Sequence, residues 1–364
     1  MAKLRVGLIY GGRSGEHEVS ILSANSVISA INRQKYEVVP IGITKEGKWL
    51  VGQSPAPLVE SKELTVRLLG SDAGGEEISL MSKTKSGEIL SGLRDKIDVI
   101  FPVMHGPFGE DGTIQGLLEL AELPYVGGGV LASAVGMDKA LMKAVFKQAG
   151  LPVGDYQVYL RKEWRDNPTL VLTEIERGLG YPCFIKPANL GSSVGISKAH
   201  DRMELKKALD LAALYDRKLV IEKLLTGREI ECGVLGNDEP LASVPGEIIP
   251  CTEFYDYDAK YILNDSQLTI PAPLDAALAQ KVQELALRSF KAVDCAGLAR
   301  VDFFVDIDKN EIYVNEINTM PGFTKISMYP KMWEATGVSY SDLIDRLLQL
   351  ALERFEDKKQ NKIS

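Results

Sequence analysis

Hydrophobic and polar positions change period several times along this chain. Leu4-Arg5-Val6-Gly7-Leu8-Ile9-Tyr10 is an apolar run broken by one charge, and it predicts a buried strand ended by Gly11-Gly12. From His17 to Ile31 the apolar residues Val19, Leu22, Val27 and Ile31 recur at helical spacing, which predicts a helix packed by that face. Further strands are expected over 36–43 and 97–103. Between them, 53–92 is punctuated by Pro, Gly and Ser and is expected to wander over the surface. Strand and helix alternate here as in a doubly wound α/β unit, whose loops after the strands carry ligands. The loops 11–18 and 105–112 should therefore face one cleft.

The texture changes near Met137. A helix over 138–149 leads to the boundary Gly150-Leu151-Pro152. Short strands with charged ends follow, Cys183-Phe184-Ile185-Lys186-Pro187 and Leu219-Val220-Ile221-Glu222-Lys223. Strand-like segments then run over 229–317, interrupted by a helix at 275–292. An amphipathic helix over 340–355 closes the chain, with a charged tail, 356–364, expected to fray.

A length of 364 residues exceeds one hydrophobic core, so two or three domains sharing a cleft are expected. The formal net charge of -8 argues against nucleic acid or an anionic membrane as partner, so any phosphate must be held by locally placed lysines. No run approaches the roughly 18 apolar residues of a membrane span, and the N-terminus enters a strand with no cleavable apolar region. Both point to a cytoplasmic protein. Cys183, Cys232, Cys251 and Cys295 show no metal-type spacing and read as small buried hydrophobes. Three histidines, His17, His105 and His200, leave little room for a histidine-based metal site.

The strongest chemical signal is Arg300-Val301-Asp302 followed by Asn315-Glu316-Ile317-Asn318. Their flanks read as two strands joined by a turn at Asp308-Lys309-Asn310. A period of two puts Glu316 and Asn318 on one face, where a paired strand could bring Asp302. Such oxygen donors suit magnesium, and Arg300, on the face of Asp302, could reach a developing oxyanion. A salt-bridged surface hairpin is the plain alternative.

Lys186-Pro187-Ala188-Asn189-Leu190-Gly191-Ser192-Ser193-Val194-Gly195 places a lysine before a Gly/Ser loop able to enclose phosphate oxygens. It is not a Walker A loop. Gly191-Ser192-Ser193-Val194-Gly195 also matches the hydrolase elbow G-x-S-x-G. The only later histidine, His200, is too near in sequence to complete a triad, so that reading fails.

Main-chain groups of Glu222 to Leu225 could pair with an adenine edge, with Glu229 accepting from ribose hydroxyls; an ordinary strand gives the same string. Glu16, in the turn Gly11-Gly12-Arg13-Ser14-Gly15-Glu16-His17, sits at a helix start and could hold an ammonium group. The polar, aromatic segment Phe254 to Tyr261 lies between Pro250 and Pro271 and reads as a lid or as a solvated loop.

Taken in order, these motifs resemble the D-alanine–D-alanine ligase family of the ATP-grasp superfamily over nearly the whole chain. The matching strings are Gly11-Gly12 with Glu16-His17-Glu18-Val19-Ser20, His105-Gly106 with Gly109-Glu110-Asp111-Gly112, Met137-Asp138-Lys139, and Lys186-Pro187 with the Gly191–Gly195 loop. Tyr255-Asp256-Tyr257-Asp258-Ala259-Lys260-Tyr261, Arg300-Val301-Asp302, Asn315-Glu316-Ile317-Asn318-Thr319 and Pro321-Gly322 complete the set.

The resemblance implies an α/β fold, α+β in its C-terminal parts: an ATP-grasp fold preceded by a doubly wound domain. The implied domains are 1–137, 138–227 and 228–364, with a lid at about 250–271. It implies ATP bound through Lys139, Lys186, Ser193, Glu222, Lys223, Leu225, Glu229 and Lys260, with Mg2+ or Mn2+ on Asp302, Glu316 and Asn318. Glu16, Ser192, Arg300, Ser327 and Tyr261 match the family's catalytic residues. Glu16, His105, Arg300, Gly322, Ser327 and Met328 match its substrate-binding positions. The implied reaction joins two D-alanine molecules through D-alanyl phosphate for peptidoglycan synthesis, in a homodimer. The intact Lys260-Tyr261 favours the dipeptide over a D-alanine–D-lactate product.

Overall fold

The computed structural model describes residues 2–51, 76–78, 96–249 and 267–362. In the first part, β1 (Leu4–Gly11), β2 (Tyr36–Ile43), β3 (Trp49–Val51), β4 (Glu76–Ile78) and β5 (Val99–Pro102) form a sheet in the order β4-β3-β2-β1-β5. β1 is parallel to both β2 and β5, as the alternating pattern requires, and β3 and β4 extend the edge antiparallel. β4 lies in the stretch expected to be irregular; its sequence Glu76-Glu77-Ile78 is too short and polar to signal a strand. The helix α1 (His17–Ala30) covers the sheet, followed by α2 (Thr113–Leu120).

Val19, Val27 and Ile31 are buried as their spacing requires, but the buried face of α1 is wider than this apolar pattern. Leu22 is 37% exposed, while Ser20 and Ser23 are fully buried. Ser20 accepts from the N–H of Gly11 and donates to the Val103 carbonyl. Ser23 bonds His105. Polar residues enter this interface because each hydroxyl has a partner there.

α3 (Val130–Met137) and α4 (Lys139–Gln148) meet at Asp138, whose carboxylate caps α4 by accepting from the N–H groups of Ala140 and Leu141. Beyond them, β6 (Tyr156–Leu160), β7 (Cys183–Pro187), β8 (Ser197–Ala199) and β9 (Lys218–Lys223) form an antiparallel sheet ordered β6-β9-β7-β8. The intervening helices are α5 (Arg161–Asp166), α6 (Pro168–Gly178) and α7 (Arg202–Tyr215). Sequence reasoning passed over α6 and α7, although Pro168 at a helix start and the cap Asp201 both mark their beginnings. Val171 and Ile175 of α6 and Leu205 and Leu209 of α7 share a core with Cys183, Ile185, Leu219 and Ile221 of the strands.

The third part contains β10 (Arg228–Gly236), β11 (Leu241–Ala242), β12 (Gly246–Ile249), β13 (Gln267–Thr269), β14 (Gly297–Asp306) and β15 (Glu311–Asn318). They form an antiparallel sheet ordered β13-β12-β10-β14-β15, with β11 on β10. α8 (Ala276–Ala292), α9 (Met328–Ala335) and α10 (Tyr340–Lys358) complete the chain. Helix α10 continues past the point where fraying was expected, because its last turns are anchored on the first part. Arg354 lies 4.4 Å over the Tyr125 ring and donates to the carbonyls of Tyr125 and Gly127, and Lys358 pairs with Glu119.

Leu343, Ile344, Leu347 and Leu348 of α10 join Val6, Leu8, Val99 and Phe101 of the first sheet in one core. Tyr36 and Lys35 both donate to Asp345. The first sheet is thereby held against the third part, and Ser23 of α1 accepts from the Phe323 N–H just beyond β15. Cys183, Cys232 and Cys295 are free and buried, the role their spacing suggested; Cys251 lies outside the described residues.

Candidate active site

The hairpin of β14 and β15 sets Asp302 opposite Glu316 and Arg300 opposite Asn318. Residues directly opposite in an antiparallel pair share a face, so all four project together while Val301 and Ile317 point into the core. The register shifts after Asp302, with Phe303 opposite Val314, leaving Asn315 as a bulge. Asn318 donates its amide to Asp302 at 3.0 Å, and Arg300 donates to both Asp302 oxygens at 2.7 Å. A further carboxylate, Glu231 of β10, lies opposite Asp302 and 3.0 Å from the same guanidinium. Burial works against the Arg300 charge, but Asp302 and Glu231 more than offset it and raise its pKa well above the ordinary value.

Asp302, Glu316 and the amide oxygen of Asn318 are hard donors on one face. That donor set fits Mg2+ or Mn2+.

The lysines approach from the central sheet and α4. Lys186, on β7, donates to Glu222 Oε2 of β9 at 2.8 Å. Lys139 and Lys143 stand one turn apart on α4. Lys139 donates to the Leu190 carbonyl at 2.8 Å and lies 3.8 Å from Glu316, tying the Gly/Ser loop to the β14–β15 hairpin. Lys143, only 2% exposed, is 3.3 Å from Glu222 Oε1 and donates to the Asn315 carbonyl at 3.4 Å. Burial alone would raise the Glu222 pKa, but the two lysines push it down to about 2. Burial lowers the pKa of Lys143, against the pull of Glu222.

The Gly/Ser loop meets the first sheet at Glu16. Ser192 donates to Glu16 Oε1 from a left-handed backbone, φ 50°. Gly106 and Gly191 crowd the same carboxylate: a Cβ on Gly106 would come within 2.8 Å of Glu16 Oε2, and one on Gly191 within 3.0 Å. Ser14 donates to the His105 carbonyl at 2.8 Å, so the loops 11–18 and 105–112 are in contact. Both ring nitrogens of buried His105 have protein partners, the Met320 carbonyl and Ser23 Oγ, each at 3.1 Å. Burial lowers its pKa, against the nearby Glu16. Glu110 is pushed up to about 8 by burial and by Glu16, despite accepting from the Gly106 N–H at 2.6 Å.

The other sequence-derived positions fall around this cleft unevenly. Ser327 precedes α9, and its hydroxyl accepts from the Thr324 N–H at 3.0 Å, beside Gly322. The Met328 side chain is buried with Ile248 and Met332. Lys223 is exposed at the end of β9, while the Leu225 side chain borders Gly154. Glu229 is half-buried on β10, opposite Phe304, and Ser193 has a left-handed backbone, φ 60°. Lys260 and Tyr261, in the expected lid, lie outside the described residues. Two charged residues at the centre, Lys143 and Glu231, were missed by sequence reasoning. The only signals were a second lysine one helical turn from Lys139 and the alternation Glu229-Ile230-Glu231-Cys232.

Family models described as D-ala D-ala ligase N-terminus and D-ala D-ala ligase C-terminus match residues 5–128 and 145–349. The chain belongs to the D-alanine–D-alanine ligase family. A curated member from Ruminiclostridium cellulolyticum is 53% identical over 371 residues, covering 99% of this chain and 98% of the relative. One from Chloroherpeton thalassium is 51% identical, with both chains covered to 100%. Among solved structures, the D-alanine–D-alanine ligase of Coxiella burnetii superposes with a TM-score of 0.81 at 38% identity, covering 98% of each chain. The VanG D-Ala:D-Ser ligase of Enterococcus faecalis gives 0.79 at 37%, covering 96% of this chain and 100% of that one. The fold is thus that of the ATP-grasp ligases, and the enzyme depends on ATP and on Mg2+ or Mn2+.

Proposed function

We propose that this ligase joins two D-alanine molecules into D-alanyl-D-alanine, a peptidoglycan precursor, and converts ATP to ADP and phosphate. What supports this reading is the Glu16–Ser192 contact together with the shared face of Asp302, Glu316 and Asn318. His105 and Glu110 each feel the charges of both Glu16 and Arg300.

A carboxylate is a poor electrophile, so the first D-alanine must be activated. In this reading Glu16, steered by Ser192, holds its ammonium group, and its carboxylate oxygen attacks the γ-phosphorus of ATP, releasing ADP and forming D-alanyl phosphate. Lys139 and Lys186 hold phosphate oxygens with the Ser193 loop, while Glu222, Lys223, Leu225 and Glu229 line the nucleoside. Asp302, Glu316 and Asn318 would hold the divalent cation, which supplies charge neutralisation to the phosphates.

The amine of the second D-alanine then attacks the acyl carbon. The C–N bond forms, the C–O bond to phosphate breaks, and phosphate leaves as the amine loses a proton. Arg300 and the Gly322 N–H are the donors for the tetrahedral oxyanion, where losing one donor costs about 3 to 4 kcal/mol. Ser327 and the backbone of Met328 flank the second substrate, because the Met328 side chain is committed to the core.

The neighbour described as a D-Ala:D-Ser ligase makes acceptor choice the point to test. Product analysis with D-alanine, D-serine and D-lactate in competition should give D-alanyl-D-alanine as the main product at neutral pH. A dominant ester or mixed dipeptide would defeat the assignment. The reading extends to a cytoplasmic homodimer, tested by light scattering on the purified enzyme. Among the described residues no helix is long and apolar enough to cross a membrane.

A further inference from the structure

Lys143 has no part in the reaction as described, yet it is among the most deeply buried large side chains of the molecule. A buried ammonium group is costly unless it is paired and hydrogen-bonded. Its partners here come from two different sheets. Glu222 Oε1, at 3.3 Å, belongs to β9 of the central sheet. The Asn315 carbonyl, at 3.4 Å, belongs to the bulge of β15, one residue before Glu316. The other oxygen of Glu222 accepts from Lys186. One ammonium group therefore links the helix that carries Lys139, the strand that carries Glu222, and the backbone from which Glu316 and Asn318 project.

The arrangement constrains distances that a bound nucleotide must span. Lys186 is oriented by Glu222, and Glu222 by Lys143. The bulged strand bearing Glu316 is tied to the same atom. Without Lys143, Glu222 would retain one cation, and the central sheet and the metal hairpin would lose a direct polar link between the nucleoside and phosphate ends of the cleft. Nothing in the position of Lys143 brings it to Glu16, Ser192 or Ser327, which surround the amino-acid end.

We propose that Lys143 is a positioning residue for nucleotide binding, acting by fixing Glu222 and Lys186 against the β15 bulge and not by touching either amino-acid substrate. This rests on the placement of ATP between Lys186 and the β14–β15 face given above.

The test uses the full chain. Lys143→Met keeps the length of the side chain and removes its charge. Lys143→Gln keeps a donor for the Asn315 carbonyl, and serves if the methionine variant does not fold. Circular dichroism establishes folding, calorimetric titration with Mg2+-ADP reads nucleotide affinity directly, and steady-state kinetics gives KM for ATP and for D-alanine separately.

The expected result is a loss of nucleotide affinity of about tenfold or more, because a hydrogen-bonded charge is removed from the binding frame. KM for ATP should rise with it, and KM for D-alanine should stay within about twofold, since no contact to that end is lost. Lys186→Met is measured alongside. If it keeps full nucleotide affinity, the nucleotide is misplaced and the inference fails with that reading. If Lys186→Met weakens binding while folded Lys143→Met or Lys143→Gln binds as the parent does, the inference alone is overturned. Equal rises in both KM values would also overturn it, because they would mark general loosening of the fold.

Discussion

Replacing Glu110 by glutamine should stabilise the ligand-free enzyme at alkaline pH and leave it unchanged in acid. Burial, and then the charge of Glu16, raise the Glu110 pKa from an ordinary 4.5 to about 8. Between those values the folded chain holds a proton that the unfolded chain has released. Stability therefore falls as pH rises through this window, and the loss is complete above the folded pKa. Each pKa unit is worth about 1.4 kcal/mol, which sets a ceiling of roughly 5 kcal/mol for the whole displacement. Glu110 keeps partial access to solvent, which screens the charge and reduces the expected effect to about 1 to 2 kcal/mol. Glutamine preserves an acceptor for the Gly106 N–H but cannot ionise. Urea denaturation of parent and Glu110→Gln, without nucleotide or D-alanine, should give nearly coincident curves at about pH 4, below the ordinary carboxyl value. At pH 8.5 the variant should unfold at higher urea. An offset of equal size at both pH values would refute the reasoning, because a packing effect does not titrate.

Three further substitutions separate parts of the site. Asp302→Asn removes a charged donor from the metal face while Arg300 keeps Glu231, so the fold should persist and kcat fall by about a hundredfold or more, with a higher Mg2+ requirement; steady-state assays across Mg2+ concentration check this, and parent-like Mg2+ dependence would contradict the assignment. Ser192→Ala deletes the donor to Glu16, and kcat/KM for D-alanine should drop about tenfold with Mg2+-ADP affinity unchanged. Gly11→Ala places a Cβ 2.3 Å from the Ile43 carbonyl oxygen at φ +87°, where neither backbone can yield. A loss of about 3 kcal/mol or more follows, read as a large fall in soluble yield and in Tm.

The parts of this molecule legible in its sequence are those governed by local periodicity. Asp302, Glu316 and Asn318 could be placed on one face because side chains in a strand alternate with a period of two, and because a turn at Asp308-Lys309-Asn310 made the two strands partners. Glu16 and the Gly/Ser loop were legible because glycine clusters mark backbone that must approach something closely. The bulge at Asn315 left no mark, since one extra residue within an alternating string looks the same as a strand end. Nor could Lys143 be distinguished from a solvated helix lysine: its burial follows from β9 and β15, which are remote in sequence. Two polar positions on the buried face of α1 escaped notice for a related reason. Ser20 and Ser23 look like surface residues until Val103, His105 and the Gly11 N–H supply their hydrogen bonds.

These non-local contacts share a pattern that bears on how an acidic protein holds a polyphosphate. Glu316 faces Lys139, Glu222 lies between Lys143 and Lys186, and Asp302 shares Arg300 with Glu231. Lys139, Lys143, Lys186 and Arg300 are each already desolvated and held by one of these acids, so the energetic penalty for burying them is met during folding and not at the moment of binding. In the proposed reading, a phosphate oxygen arriving at Lys139 or Lys186 competes with a carboxylate for an oriented donor, not with bulk water for a mobile one. Such an exchange is nearly balanced in charge and depends on geometry. The net charge of -8 is therefore compatible with tight nucleotide binding, because the field that matters is set by lysines whose counter-ions are fixed within the site.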